Sequence, residues 1–95
     1  MNNAIYITFD IHLTTPRDVT AFTEAATSVS GIYDICASHG TYTVDARSIM
    51  GMYSLNLTQD ITITISLRKY ASADNTDALK QEMNNVAAKF KEWKV

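Results

Sequence analysis

Two stretches of the chain alternate between apolar and polar residues, and this pattern predicts β-strands. In residues 4–12 the apolar side chains fall on every second position, at Ile5, Ile7, Phe9 and Ile11. In residues 61–67 isoleucine and leucine alternate in the same way with hydroxyl residues. A period of two turns one face of a strand toward a core and the other toward water. We therefore expect two half-buried strands.

Two other stretches carry apolar residues at spacings of three and four, which is typical of amphipathic helices. The first begins with Thr15 as N-cap and Pro16 at the first helical position, and it runs to about residue 28 or 29, before Gly31. The second runs from about residue 75 or 76 to 92. Its apolar stripe consists of Leu79, Met83, Val86, Phe90 and Trp93.

The middle of the chain predicts a β-hairpin and then a short helix. Residues 32–37 and 41–45 are expected to be the strands, with a turn over residues 38–40. Ser48 is expected to cap a helix that ends near residue 55, and residues 71–75 to form a polar loop. The order β-α-β-β-α-β-α predicts one α+β domain over residues 1–95, an antiparallel sheet of four strands with three helices on one face.

The composition narrows the possible functions. The chain has 8 Lys and Arg against 10 Asp and Glu, which argues against direct binding of nucleic acid. Cys36 is the only cysteine, so an internal disulfide is impossible. We expect no metal, no cofactor and no membrane insertion, and a cytoplasmic location. Neither paired carboxylates near a histidine nor a glycine-rich phosphate loop is present, so an enzyme is not expected.

The segment Arg47-Ser48-Ile49-Met50-Gly51-Met52, followed by Ser54-Leu55, resembles the regulatory serine segment of HPr. HPr is the small phosphocarrier protein of the bacterial sugar phosphotransferase system. The resemblance covers nearly the whole chain and implies the HPr fold, an open-faced β-sandwich of four antiparallel strands covered by three helices. It also implies that Ser48 is the serine that an ATP-dependent HPr kinase phosphorylates. The segment alone favours a helix cap, which any serine at this place provides, and the phosphorylation is what the full-length resemblance adds.

The same resemblance points to a degenerate active site at the start of the first helix. The family places its phosphoryl-accepting histidine at this N-cap, where the chain has Thr15, while Arg17 takes the place of the active-site arginine. A threonine phosphate is too stable to act as a relay. Pro16 removes one N–H from the cradle that would hold a phosphoryl group.

His12 is the possible alternative phosphoryl acceptor, after a local shift of the motif. Its position at the end of the first strand, opposite in parity to the apolar residues, makes an ordinary surface histidine the simpler interpretation. His39, in the predicted turn, is interpreted in the same way.

The resemblance also implies a surface for binding other proteins. Its candidate residues are Arg17, Arg47, Ile49, Met50 and Met52. In the family the partners are HPr serine kinase, a catabolite repressor, enzyme I and sugar transporter subunits. Ile49 and Met52, three residues apart, are alternatively core residues, and each arginine alternatively pairs locally.

Three hypotheses follow. The first is a regulatory protein similar to catabolite-repression HPr, which lacks the active histidine and keeps the serine. The second is an atypical phosphocarrier that uses His12. The third is a docking module that works without phosphorylation.

Overall fold

The computed structural model describes residues 5–67 and 76–95. In chain order they form β1 (Tyr6–Ile11), α1 (Pro16–Thr27), β2 (Tyr33–His39), β3 (Tyr42–Asp45), α2 (Ile49–Tyr53), β4 (Ile61–Leu67), α3 (Thr76–Ala87) and a terminal 3₁₀ helix (Ala88–Trp93).

The strands pair into one antiparallel sheet in the order β1-β4-β2-β3. In its middle, Ile65 of β4 lies between Ile7 of β1 and Ile35 of β2. Alternation within each strand puts these isoleucines on one face, which the helices cover. Gly40, with a φ of 63°, makes the tight turn from β2 to β3. The predicted α+β fold, a four-stranded antiparallel sheet with three helices, is confirmed.

An aromatic cluster joins α1 to the end of the chain. The ring of Phe22 lies 5.1 Å from that of Phe90 and 5.7 Å from that of Trp93, measured between centroids. The backbone continues this attachment, since the N–H of His12 donates to the Trp93 carbonyl at 2.8 Å and the N–H of Val95 to the Asp10 carbonyl at 3.0 Å. The C-terminal segment is thereby held against the end of β1.

Some boundaries differ from the predicted ones. The last helix was expected to continue to residue 92, but α3 ends at Ala87 and the chain continues as a 3₁₀ helix. The buried residues there, Ala87, Phe90 and Trp93, are spaced by three, and a 3₁₀ helix with three residues per turn aligns them on the core. The strand β2 includes Ser38 and His39, so the hairpin turn is shorter than predicted. The predicted loop at 71–75 lies outside the described residues.

Candidate functional site

The start of α1 is closed by a reciprocal capping arrangement. The hydroxyl of Thr15 accepts a hydrogen bond from the N–H of Asp18 at 3.1 Å. In return, one oxygen of the Asp18 carboxylate accepts from the N–H of Thr14 at 3.1 Å, from its hydroxyl at 3.0 Å and from the N–H of Thr15 at 3.3 Å. Thr15 is therefore the N-cap, as predicted.

The capped first turn of α1 offers few N–H groups to a bound anion. The hydrogen bonds from the Thr14 backbone, more than the others, lower the pKa of Asp18 from its ordinary value of 3.8. Pro16 contributes no N–H. The Asp18 N–H donates to the Thr15 hydroxyl, so two of the first three N–H positions of α1 offer nothing to a phosphoryl group. Arg17, beside it, is exposed.

The second part of the site is α2, whose N-cap is Ser48. The hydroxyl of Ser48 accepts from the N–H of Gly51 at 3.0 Å. Beyond this cap lies an exposed apolar surface, here called the α2 patch, which consists of Ile49 (40% exposed), Met50 (79%) and Tyr53 (47%). The largest exposure is at Met50, the residue of the three for which the sequence offered no alternative place in the core.

Met52 does not belong to this surface. Its side chain is completely buried, because it lies on the opposite side of α2 from Met50 and contributes to the core. The predicted contact of Met52 with partners is therefore wrong for direct binding. Its burial fixes the orientation of α2 and so keeps the patch outward.

Two grooves border α2. One, of about 190 Å³, lies between the start of α1 and the end of α2, and its walls include Thr15, Pro16 and Tyr53. The other, of about 410 Å³, runs between α1 and α2 and is lined in part by Thr23 and Ile49. Thr15 and the α2 patch consequently border the same grooved surface.

Arg47 is held by the backbone. Its guanidinium donates to the carbonyls of Ala26 at 3.0 Å, Tyr33 at 2.9 Å, and Val29 and Ser30 at 3.1 Å each. These bonds fasten the C-terminal end of α1 to β2. The predicted role of Arg47 in binding other proteins does not fit this geometry, because its guanidinium donors are engaged inside the fold.

His12 is not an isolated surface histidine. Its Nδ1 lies 3.1 Å from Oδ1 of Asp60, and its side chain is 39% exposed. His39 reaches the same residue, with its Nδ1 at 3.3 Å from the Asp60 backbone carbonyl. Sequence reasoning missed Asp60. The strand register could have indicated it, since Ile11 pairs with Ile61 and the neighbouring residues are then adjacent.

Within residues 5–67 and 76–95, no three side chains of His, Cys, Asp or Glu are grouped to hold a metal ion. Among the helices of those residues, none has the length and apolar character required to cross a bilayer.

Comparison with known proteins shows the family of this chain. Residues 11–85 match the family model described as the PTS HPr component phosphorylation site. The chain belongs to the HPr family. A search of curated proteins found no significant match.

Solved structures agree with this family. A phosphocarrier protein HPr from Bacillus anthracis str. Ames is 26% identical, with a TM-score of 0.55, covering 94% of this chain and 99% of that one. HPr-C-His from Thermoanaerobacter tengcongensis is also 26% identical, with a TM-score of 0.53, covering 90% of this chain and 94% of that one. These similarities extend over almost the whole HPr chain in both cases.

Proposed function

We propose that this chain is a regulatory, non-enzymatic member of the HPr family that acts in the bacterial cytoplasm. Phosphorylation of Ser48 by HPr serine kinase controls its binding to other proteins, above all a catabolite repressor. The observation that carries the proposal is the position of Ser48. It caps α2 at the border of the exposed α2 patch, in a chain that belongs to the HPr family.

The chemistry at Ser48 supports a switch that leaves the fold intact. The Ser48 side chain is only partly buried, and its oxygen already accepts from the Gly51 N–H. A phosphate attached there keeps acceptor oxygens for that N–H and adds about two negative charges beside the α2 patch. A partner with a basic surface around an apolar pocket would then bind the phosphorylated form better.

The start of α1 supports the regulatory role over a relay through that helix. Thr15 stands at the N-cap, where the resemblance places the phosphocarrier histidine, and a phosphothreonine ester does not pass its phosphoryl group on readily. The negative charge of Asp18, in the first turn of α1, further opposes a dianion at this helix start. Enzyme I and the transporter subunits then become docking partners at most.

Intact-mass spectrometry after incubation with HPr serine kinase and ATP tests this proposal. We expect one acid-stable phosphate per chain, absent from Ser48→Ala and present in the control Ser54→Ala, which removes another hydroxyl at α2. The phosphorylated chain, and not the unmodified one, should bind the catabolite repressor. Labelling that survives Ser48→Ala would refute the proposal. Repressor binding that needs no phosphate would favour a plain docking module.

A further inference from the structure

Met50 is the most exposed residue of the α2 patch. Its side chain is 79% exposed, whereas Met52, two residues later in the same five-residue helix, is completely buried. Side chains two residues apart on an α-helix point in directions about 200° apart, so the two methionines lie on opposite sides of α2. The thioether of Met50 is therefore open to dissolved reagents, while the core shields that of Met52.

The packing of α2 keeps Met50 outward. At Gly51 the helix lies so close to β3 that an added Cβ would lie 3.3 Å from the Cβ of Val44. The N–H of Gly51 also donates to the Ser48 hydroxyl at 3.0 Å. A rotation of α2 that buried Met50 would break this cap and withdraw Met52 from the core, so the exposure of Met50 is a fixed property of the fold.

Oxidation of an exposed thioether requires only a two-electron oxidant such as a peroxide. The sulfur lone pair attacks one oxygen of hydrogen peroxide, the proton on that oxygen moves to the other, and the O–O bond breaks as water leaves. The methionine becomes a sulfoxide, and the peroxide is reduced. The change is reversible, because methionine sulfoxide reductases take two electrons from a pair of thiols, which become a disulfide, and release the sulfoxide oxygen as water.

A sulfoxide at Met50 changes the α2 patch without entering the core. Since Met50 is exposed, its S=O group stays in contact with water and the fold is not disturbed. In a complex the same group would have to leave water for an apolar pocket of the partner, and burial of a polar group without a hydrogen bond is unfavourable. Oxidation of one atom thus removes the apolar character of the patch at its most exposed point.

We propose that Met50 is a reversible oxidation site and that its sulfoxide weakens protein docking at the α2 patch. The oxidant is a peroxide, and the reductant is a thiol used by a methionine sulfoxide reductase. The effect on docking rests on the proposed function, in which phosphate on Ser48 strengthens binding of a catabolite repressor and the sulfoxide opposes it. The oxidation itself depends only on the exposure of Met50, so the two can fail separately.

Cys36 is the competing target for a peroxide. Its thiol is half-buried, and burial, with smaller effects of the Asp34 and Asp45 carboxylates, raises the pKa of this thiol from the ordinary value of 9.0. The thiolate is the form that reacts readily, whereas a thioether has no proton to lose. At about pH 6 the reaction therefore falls mainly on methionine.

The first measurement treats the full-length chain with hydrogen peroxide under these conditions and follows each methionine by peptide mapping. Trypsin releases residues 48–68, which contain both Met50 and Met52, and fragment ions separate the two. We expect Met50 to oxidise at least about tenfold faster than Met52 or Met83, because a buried thioether reacts only after local opening. In urea the rates should become similar. Equal rates in the folded chain would overturn the proposal.

The second measurement compares the apolar character of the α2 patch, with binding to a phenyl resin as the readout. The oxidised chain should elute earlier than the untreated chain, and methionine sulfoxide reductases with dithiothreitol should restore the original elution. Met50→Leu is the matched variant, because it keeps an apolar side chain that peroxide does not oxidise, so treatment should not shift its elution. Circular dichroism should show that oxidation leaves the fold intact. An equal shift in Met50→Leu, no shift in the unaltered chain, or no recovery would each contradict the proposal.

The third measurement is binding of the chain phosphorylated on Ser48 to the catabolite repressor. We expect the sulfoxide at Met50 to weaken this binding roughly tenfold, as burial of one unsatisfied polar group predicts. Equal affinity of the oxidised and untreated forms would show that the effect on docking is wrong. If the repressor binds neither form, the proposed function is wrong, and the peptide map and the phenyl resin alone decide the oxidation of Met50.

Discussion

The guanidinium of Arg47 ties the end of α1 to β2 through four backbone carbonyls. Carbonyls at a helix C-terminus carry partial negative charge, and a cation there satisfies them. We predict that Arg47→Ala lowers the free energy of unfolding by about 2–4 kcal/mol, since hydrogen bonds to a charged group are lost and buried acceptors are left unpaired. Arg47→Lys should recover only part, because an ammonium cannot reach the same set of acceptors.

Urea unfolding followed by circular dichroism measures this difference. Arg17→Ala is the matched control, as Arg17 is exposed on α1, and it should change stability by less than about 0.5 kcal/mol. If Arg47→Ala proved as stable as Arg17→Ala, the interpretation of Arg47 as a structural residue would be wrong.

The carboxylate of Asp18 gives stability that depends on pH. Its pKa in the folded chain is below the ordinary value of 3.8, chiefly because the Thr14 N–H donates to it. A lowered pKa stabilises the fold above the ordinary value, and this contribution is lost as the pH falls through the folded value. We predict that Asp18→Asn melts at a lower temperature than the unaltered chain at pH 7, and that the gap closes below about pH 4.

Thermal melts between pH 2 and 7 test this dependence. Asp77→Asn, a substitution of the same chemistry in the first turn of α3, is the control and should show a smaller gap at pH 7. A gap for Asp18→Asn that stays constant down to pH 2 would mean that the capping carboxylate does not carry the effect.

At the scale of elements, alternation predicted two of the strands and helical spacing two of the helices, while turn residues predicted the β2–β3 hairpin and the Ser48 cap predicted α2. The capping roles of Thr15 and Ser48 could also be predicted, since Ser or Thr directly before an apolar helical pattern is typical of an N-cap. The roles of Arg47 and Asp60 could not, because each depends on segments that meet only in the folded chain. The 3₁₀ helix was missed although its buried residues are spaced by three.

The shortness of α2 makes its cap important. The helix contains five residues, and the Ser48 hydroxyl satisfies the Gly51 N–H. We predict that Ser48→Ala costs about 1 kcal/mol of stability, whereas Ser48→Asp keeps most of it, because a carboxylate is also a good N-cap. Equilibrium urea unfolding gives both values. Equal stability of Ser48→Ala and the unaltered chain would show that packing of Met52 alone holds α2.

At the scale of the whole molecule, the helices cover one face of the sheet, and His12, His39 and Asp60 lie together at one end of it. The start of α1, the α2 patch and the groove walls share one side. His12, His39 and Asp60 meet at one end of the sheet, because β4 lies between β1 and β2 in the strand order.

The ionisation of Tyr33 makes the stability of the whole molecule depend on pH in the alkaline range. Its side chain is completely buried, and its hydroxyl lacks a hydrogen-bond partner among the described residues. Burial raises the pKa of Tyr33 from 10.0 to about 12, with smaller contributions from hydrogen bonding and charge repulsion by the Glu82 carboxylate, whose contact with the hydroxyl is too poor in geometry to count as a hydrogen bond. The folded chain then holds this proton more tightly than the unfolded chain, so stability is retained below pH 10 and lost as the pH rises toward 12.

We predict that Tyr33→Phe removes this part of the alkaline loss and leaves stability at pH 7 within about 1 kcal/mol, because it deletes a buried hydroxyl that has no hydrogen-bond partner of good geometry. Urea unfolding at intervals from pH 7 to 11 compares it with the unaltered chain and with Tyr42→Phe, in which an exposed tyrosine is changed. The stability of Tyr33→Phe should fall less with pH than that of the other two. Parallel curves for all three would mean that Tyr33 ionises as freely in the folded chain as in the unfolded one, and that its burial does not couple ionisation to unfolding.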